Sequence, residues 1–409
     1  MIKHFAGVAQ LAEQLICNQP VAGSSPITSS FFLTSFFFHI NKSIFIFDNI
    51  LYIYYFIFLL GKIIMPNTKL KDLIKKNNFF VIAESGSNHE GSIDDALQLI
   101  REAAKAGADA VKFQSFTSKT LFAQKEYTKI LKMPENALDN VDDIVLKKEW
   151  YEALYKEAKK NKIILMSTPF SVEAVDDMDK YVPIYKIASC DIDNIPLLRK
   201  IASTKKPVIL STGLATNKNI KNALKILKNN EVALLHCSVE YPTPLENARL
   251  NRIVVMNKLF KKNIIGYSDH TIGTDAPIIA YTLGAKIIEK HFTITPEKKS
   301  GDHIISLDTN SMKEMISKLK DTVKMLGGDD ALKTEKKMSK QEKKELVYAK
   351  RGIYLNHSML KNEVITEKDL VTLRPCIGIS AKDYDKVVGK KLKLDKKSFT
   401  ALNFKDLKK

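Results

Sequence analysis

The sequence predicts an α/β protein in which a (β/α)₈ barrel precedes a small C-terminal domain. From residue 79 onward, short β-branched segments alternate with longer amphipathic ones over about 250 residues, which is the size and rhythm of such a barrel. Polar residues stand at the C-terminal ends of most of the short segments. A charged stretch at 329–349 then precedes a final region of short strand-like segments.

Eight strands and the helices between them follow from this alternation. The predicted strands are 79–84, 108–114, 163–167, 184–188, 207–211, 232–237, 264–267 and 285–291. The clearest predicted helices are 93–106, 148–161, 195–203, 217–228 and 275–283. The C-terminal ends of barrel strands meet at one face, so their polar residues are expected to share a site.

The first 64 residues do not follow this pattern. The segment GVAQLAEQLICNQPVAGSSP looks like the conceptual translation of a transfer-RNA gene, and the Phe/Ile/Tyr/Asn-rich stretch after it looks like AT-rich intergenic DNA. We therefore expect residues 1–64 to be a non-native leader and Met65 to be the start. The alternative is a membrane anchor, although the charge-free apolar run 49–60 is shorter than the roughly 20 residues that span a bilayer.

Composition narrows the class of protein. The chain has 409 residues, a formal charge of +18 and four scattered cysteines without a CxxC pair, namely Cys17, Cys190, Cys237 and Cys376. This cysteine usage favours a reducing cytoplasm over a disulfide scaffold or a zinc ribbon. The lysines form no basic stripe interleaved with aromatics, so no nucleic-acid partner is expected. No membrane partner is expected either, because the apolar run 49–60 is short. The positive field would attract an anionic substrate.

Two lysines and several hydroxyls lie at the strand ends. They are Lys112, Lys186, Thr168, Ser189 and Ser211. An unpaired lysine buried in a barrel mouth is costly, and an anionic ligand carrying phosphate and carboxylate would offset that cost. The alternative is that each lysine pairs with an acidic side chain across the barrel.

Two histidines end neighbouring strands. His270 lies in SDHT and His291 in EKHF, so their imidazoles are predicted to converge on a divalent metal with open positions for substrate. A lone histidine would more often be structural. His236 either joins this site or lies in the core, and His89 is interpreted as a turn residue.

Other strand-end residues carry weaker signals. Glu84 ends the first strand and suits proton handling or sugar binding, although the motif AESGSNHEG could also be an ordinary turn and helix cap. Tyr241 lies in a Pro-framed loop and either stacks on a sugar or packs the loop. Cys237 lacks a clear base that would make it a nucleophile.

Taken together, the motifs NHEG, KFQ, STPF, YKIAS, LSTG, LLHC…YPTP, SDHT and EKHF occur in an order and spacing that resemble the N-acetylneuraminate (sialic acid) synthase family, which includes legionaminate and pseudaminate synthases. The resemblance covers residues 79–409. It implies that phosphoenolpyruvate condenses with N-acetylmannosamine, or with a related 2,4-diacetamido hexose, and that phosphate is released. In such a reaction the enol carbon attacks the open-chain aldehyde, water adds to the resulting cationic centre, and collapse expels phosphate.

The same resemblance implies roles for individual residues. His270 and His291 would hold a divalent metal, usually Mn²⁺, with Mg²⁺ and Co²⁺ as alternatives. Glu84 would be the acid/base or orienting carboxylate. The remaining substrate-binding residues would divide between phosphoenolpyruvate (Lys112, Thr168, Lys186, Ser189, Ser211, Ser268) and the sugar (Gln114, Tyr241, Asp302). Two departures are Asp191, a predicted substrate contact where many members carry Glu, and Val239, where some carry Asn.

The predicted domains are 65–328 (barrel), 329–349 (linker or solvated helix) and 350–409, which resembles an antifreeze-like (SAF) domain. In the family this domain reaches across a domain-swapped homodimer, and Arg374 would contact the sugar bound by the partner; its alternative is a surface salt bridge. Rival functions stay open. Among enzymes they are a pseudaminic or legionaminic acid synthase and another phosphoenolpyruvate aldol-type synthase. The others are a non-catalytic sugar-binding barrel and a membrane-tethered protein.

Overall fold

A computed structural model describes residues 68–134, 136–298, 301–327 and 335–409. The expectations for residues 1–64 and for a start at Met65 lie outside the described residues. The protein consists of two compact units, within which residues contact one another more densely than they contact the other unit. The first unit ends at Met312 and the second begins at Lys313. Within the described part of the chain, no helix combines the length and apolarity needed to cross a bilayer.

The first unit contains a closed barrel of eight parallel strands in sequence order. Their bounds are β1 Phe80–Gly86, β2 Ala110–Ser115, β3 Ile164–Pro169, β4 Tyr185–Ile187, β5 Val208–Ser211, β6 Val232–Cys237, β7 Ile264–Asp269 and β8 Ile287–His291. The predicted fold class and all eight predicted strands are confirmed.

Helices follow most of the strands. Their bounds are α1 Leu70–Lys75, α2 Ile93–Ala106, α3 Ser118–Leu121, α4 Gln124–Ile130, α5 Tyr151–Lys160, α6 Val172–Met178, α7 Ile195–Ser203, α8 Asn217–Ile226, α9 Leu245–Ala248, α10 Arg252–Leu259, α11 Asp275–Thr282 and α12 Thr309–Leu326. Short 3₁₀ turns include Ser189–Asp191 and Gly301–Ile305.

The sequence explains where these elements begin and end. Helix α2 begins after Ser92, whose side chain accepts a hydrogen bond from the Asp95 amide at 3.2 Å, and it ends at Gly107 in the left-handed conformation. Strand β8 begins two residues later than predicted, because the amide of Ala285 still donates to Ala280 at the end of α11. Helix termination therefore competes with strand formation at this boundary.

The N-terminal half of the barrel interior is apolar. Its buried cluster, here called the floor, comprises Leu70 from α1 and inward-facing strand residues, namely Phe80, Ile82, Ala110, Met166, Ile184, Ile209, Ala233, Leu235 and Ile287. Gly266 allows this packing, because a Cβ there would lie 2.4 Å from Leu235 Cδ2. The floor fills this end of the barrel interior, while the polar strand ends lie at the opposite end.

The second unit contains the rest of α12, helix α13 (Lys340–Ala349) and two small antiparallel sheets. One sheet pairs β9 (Gly352–Leu355) with β10 (Leu370–Leu373), and the other pairs β11 (Lys391–Leu392) with β12 (Leu407–Lys408). Its own apolar core includes Ile353, Leu355, Ile365, Val387 and Leu402. Helix α13 has no buried residue, which is consistent with a solvated helix in the segment 329–349.

Candidate active site

A pocket opens at the C-terminal ends of the barrel strands. It is lined by Glu84, Lys112, Gln114, Thr168, Phe170, Lys186, Ala188, Ser189, Cys190, Ser211, Cys237, Val239, Tyr241, Ser268, His270, Glu289 and His291. Most of the residues predicted from the strand ends therefore meet in one cavity. We refer to this end of the barrel as the mouth.

Two lysines and two carboxylates form the centre of the mouth. Lys112 Nζ lies 2.5 Å from Glu84 Oε2 and 3.8 Å from Glu289 Oε2, and Lys186 Nζ lies 3.6 Å from Glu289 Oε1. All four side chains are nearly inaccessible to solvent. The lysines thus pair with acidic residues across the barrel, the alternative left open by the sequence, while they also line the cavity.

Burial and charge separate the two carboxylates. Burial raises the pKa of Glu84 to about 7, although Lys112 opposes the shift. Burial also raises the pKa of Glu289, but Lys112 and Lys186 outweigh it and lower this pKa to about 2. Near neutral pH, Glu289 is therefore ionised while Glu84 can carry a proton. This is the arrangement by which paired carboxylates acquire different roles.

The lysines themselves are affected in opposite directions. Burial lowers the pKa of Lys112, but Glu289 and Glu84 more than reverse this and raise it. Burial lowers the pKa of Lys186. Lys186 therefore loses its proton more readily than Lys112.

Hydroxyl groups surround the lysines. Lys112 donates to Thr168 Oγ1 and Lys186 donates to Ser211 Oγ, both at 2.7 Å. The Ser189 hydroxyl accepts from the Gly213 amide at 3.0 Å, and Ser268 donates to Glu289 Oε1 at 2.9 Å. Ammonium and hydroxyl groups in this density suit an anion with several oxygen atoms.

The two histidines also meet in the mouth. The ring centroids of His270 and His291 lie 5.3 Å apart, and Tyr241 packs 4.1 Å from the His270 ring. Burial and the neighbouring His291 lower the pKa of His270 to about 4, and burial and Lys112 lower that of His291 to about 3. Both imidazoles are therefore neutral near pH 7.

The surroundings of the histidines fit a divalent metal. His270 Nδ1 lies 2.7 Å from the Ser238 carbonyl, so it carries the proton and its Nε2 keeps a lone pair. His291 Nδ1 is buried without a hydrogen bond, and Asp302 Oδ2 lies 3.5 Å from it. Among the described residues, no group of three or more His, Cys, Asp or Glu side chains could hold a metal. A metal here would rest on the two imidazoles, with its other positions open.

Three predicted site residues lie outside the pocket lining. Asp302 is half-buried beside His291. Asp191 ends the 3₁₀ turn that carries Ser189 and accepts a hydrogen bond from Asn194 at 2.9 Å. Arg374 is an exposed residue of the second unit, directly after β10. Their roles toward substrate stay predictions.

The two other histidines singled out in the sequence, His236 and His89, have structural surroundings. His236 stacks on Tyr267 with ring centroids 5.7 Å apart, and its Nε2 lies 2.8 Å from the Ala248 carbonyl. Of the two placements considered for His236, the structure shows the one in the core. His89 lies in the turn after β1 as interpreted, but it is fully buried, with Phe113 and Trp150 about its ring.

Sequence reasoning misses some pocket residues. Glu289 is not among the predicted site residues, although strand alternation places it on the same face as Ile287 and His291. Phe170 and Cys190 give no such signal, because Phe170 follows β3 in a loop and Cys190 lies in the 3₁₀ turn Ser189–Asp191. Cys237 also lines the pocket, but burial raises the pKa of its thiol, which opposes a nucleophilic role.

Comparison with known proteins finds two family models along the chain. The model of the NeuB family matches residues 99–331, and the model of the SAF domain matches residues 350–408.

Full-length relatives agree with these matches. N,N'-diacetyllegionaminic acid synthase of Campylobacter jejuni is 37% identical over 321 residues, covering 76% of this chain and 94% of that protein. Pseudaminic acid synthase of the same organism is 35% identical, covering 79% and 95%. The crystal structure of N-acetylneuraminic acid synthetase from Leptospira borgpetersenii, in complex with citrate, is 34% identical, with a TM-score of 0.58 over 65% of this chain and 90% of that one.

Proposed function

The chain belongs to the NeuB family, and on that premise we propose that it is a nonulosonic (sialic) acid synthase that condenses phosphoenolpyruvate with an N-acyl amino hexose and releases phosphate. The proposed sugar is N-acetylmannosamine or a related 2,4-diacetamido hexose. With the second sugar the enzyme would be a legionaminic or pseudaminic acid synthase. Synthases of both products are among the relatives.

One observation carries the proposal: two buried lysines, Lys112 and Lys186, face the mouth together, each beside a hydroxyl group. Lys112 Nζ contacts Glu84 and Glu289, and Lys186 Nζ contacts Glu289. Burial favours a protonated Glu84, and two ammonium groups then face one carboxylate in a site shielded from water. An anionic substrate such as phosphoenolpyruvate would neutralise the excess positive charge.

The hydroxyls complete this anion site. Thr168 and Ser211 are held by the two lysines, and Ser189 is held by a backbone amide, so each is already oriented. Together with Ser268 they would bind the phosphate and carboxylate oxygens. Groups oriented before the reaction stabilise developing charge at little reorganisation cost.

Glu84 would act as the proton donor. Its Oε1 accepts a hydrogen bond from Gln114 Nε2 at 3.2 Å, and its Oε2 contacts Lys112. The carboxyl therefore lies between the proposed anion site and Gln114, which is proposed to contact the sugar. When the new carbon–carbon bond forms, the aldehyde oxygen gains charge, and a protonated Glu84 can donate to it.

His270 and His291 would hold the divalent metal, proposed to be Mn²⁺. When bound, such a metal supplies Lewis-acid polarisation of the sugar carbonyl. The chain's own contribution is to keep both imidazoles neutral and, through the Ser238 carbonyl, to fix the tautomer of His270.

A substrate assay tests the proposal. Purified protein with Mn²⁺ and phosphoenolpyruvate should release phosphate when N-acetylmannosamine or a 2,4-diacetamido hexose is added, and mass spectrometry should detect the nine-carbon acid. N-acetylglucosamine serves as the control sugar. Binding of the sugars without phosphate release would instead identify a non-catalytic sugar-binding barrel.

We also propose a homodimer in which Arg374 of one chain reaches the sugar site of its partner. The match of residues 350–408 to the SAF domain supports this proposal, as does the exposure of Arg374. Arg374→Ala and His291→Ala should each be inactive alone. If the two variants reassort into mixed dimers, each mixed dimer has one complete site, so activity should return to about a quarter of wild type. No recovery in reassorted dimers would contradict the shared site.

A further inference from the structure

A second lysine–carboxylate pair lies behind the two histidines. Lys290 Nζ and Asp269 Oδ2 are 2.7 Å apart, and both side chains are completely buried. The two residues are direct partners in the register of β7 and β8. The pair therefore links the C-terminal ends of the two strands that carry His270 and His291.

The same two side chains also bind the backbone after His270. Asp269 Oδ1 accepts hydrogen bonds from the Thr271 amide and from the Tyr267 hydroxyl, both at 2.9 Å. The Lys290 ammonium donates to the Thr271 carbonyl. Both backbone polar groups of Thr271 are thus held, which restricts the segment that carries the His270 ring.

Neither residue lines the pocket. Successive side chains of a strand point to opposite faces, so Ser268, Glu289 and His291 face the mouth while Asp269 and Lys290 face the surrounding helices. Asp269 directly precedes His270 in the chain, and Lys290 directly precedes His291. Any influence of the pair on the reaction must therefore pass through these two histidines.

Stability alone gives a weak reason for such a pair. Replacing a buried ion pair by apolar side chains is often neutral or stabilising, because the desolvation penalty can exceed the attraction between the charges. A directional link between two strands, in contrast, sets the spacing of whatever those strands carry.

We infer that Asp269 and Lys290 are positioning residues, whose ion pair holds His270 and His291 at the spacing that lets them share one metal ion. This inference rests on the proposed metal site. It assigns a role to two residues that touch neither substrate nor metal.

The double variant Asp269→Asn/Lys290→Met tests it. The introduced amide keeps an oxygen that can accept from Thr271 and Tyr267, and methionine keeps much of the lysine stem, so chiefly the link between strands is lost. Mn²⁺ affinity is measured on the full chain from the electron paramagnetic resonance signal of free Mn²⁺, together with the melting temperature. We expect the dissociation constant to rise about 10-fold, the lower end of the range for loss of a group bonded to a metal ligand, because this pair acts on the histidines through the backbone.

The barrel offers a matched control at its other end. Lys206 Nζ lies 2.8 Å from Asp179 Oδ1, which also accepts from the Tyr185 hydroxyl at 3.1 Å. The variant Asp179→Asn/Lys206→Met removes the same residue types from a partly exposed pair, in which Asp179 ends α6 and Lys206 lies two residues before β5. It should leave Mn²⁺ affinity unchanged, whatever its effect on the melting temperature.

The outcomes separate the inference from the proposed function. Wild-type affinity in Asp269→Asn/Lys290→Met, or an equal loss in the control, would overturn the positioning role and leave the synthase proposal standing. A wild-type protein that binds no Mn²⁺ would overturn the metal site and the inference together. If the double variant does not fold, Tyr267→Phe removes one bond to Asp269, and its dissociation constant should rise a few-fold; no change there would also count against the inference.

Discussion

The floor and the mouth of the barrel are built from the same eight strands but use opposite chemistry. The floor is filled by apolar side chains such as Leu235 and Ile287, packed without access to water. The mouth, two residues farther along the strands, buries Lys112, Lys186 and Glu289. The difference teaches that this barrel derives stability from one end, so that the other end can hold charges that are costly to bury.

The largest effect should come from the mouth histidines. His270→Ala and His291→Ala should each lower kcat by about 10³-fold or more, because polarisation of the carbonyl contributes several kcal/mol. The melting temperature should stay near that of wild type, and the exposed His357→Ala in the second unit serves as the control. Full activity in either histidine variant would break the assignment of chemistry to the mouth.

A floor substitution should show the reverse pattern. Leu235→Ala removes buried methyl groups and should lower the free energy of unfolding by about 2–5 kcal/mol. The kcat of the folded fraction should change little. Chemical denaturation and steady-state kinetics on the same sample measure both quantities. A large loss of kcat with unchanged stability would show that the two ends are not independent.

Glu84→Gln sharpens the comparison within the mouth. We expect kcat to fall about 10²-fold, the lower range for loss of a general acid. In wild type, kcat should decrease as the pH rises through about 7, where the Glu84 carboxyl loses its proton. This limb should be absent in the variant. A wild-type profile that instead falls below pH 7 would assign Glu84 the role of a base.

A further effect concerns the acid stability of the metal-free protein. The pKa values of His89, His270 and His291 are lowered to about 4, 4 and 3, so the unfolded state binds more protons below pH 6.5. Stability should therefore fall as the pH drops from 6.5 toward 3. The raised pKa of Glu84 has the opposite effect on stability between pH 7 and 4.5. The three histidines outweigh this single carboxyl group.

Calorimetry from pH 7 to pH 4 in the presence of a chelator measures this trend. The melting temperature should decrease by about 2–4 °C for each kcal/mol of stability lost. A melting temperature that rises on acidification would mean that the mouth histidines are protonated in the folded state.

Local patterns in the chain are enough to find the strands and most of the site. Lys112, Lys186, His270 and His291 are predicted to converge because each lies at or next to the C-terminal end of a strand, and all four line the pocket. The ends of strands are predicted less accurately than their existence. Strand β7 is predicted to end at residue 267, but its pairing with β8 extends it to Asp269. This pairing joins distant segments of the chain, so the local sequence does not reveal it.

By itself, the sequence determined the barrel, the polar strand ends and the motifs of the family, because β-branched runs and their spacing act over a few residues. Only the tertiary structure decided that Glu289 lies near both lysines and that His236 packs in the core. It also decided that Asp269 and Lys290 form an ion pair next to the histidines. These contacts depend on register between strands and on burial, which arise only when distant segments pack.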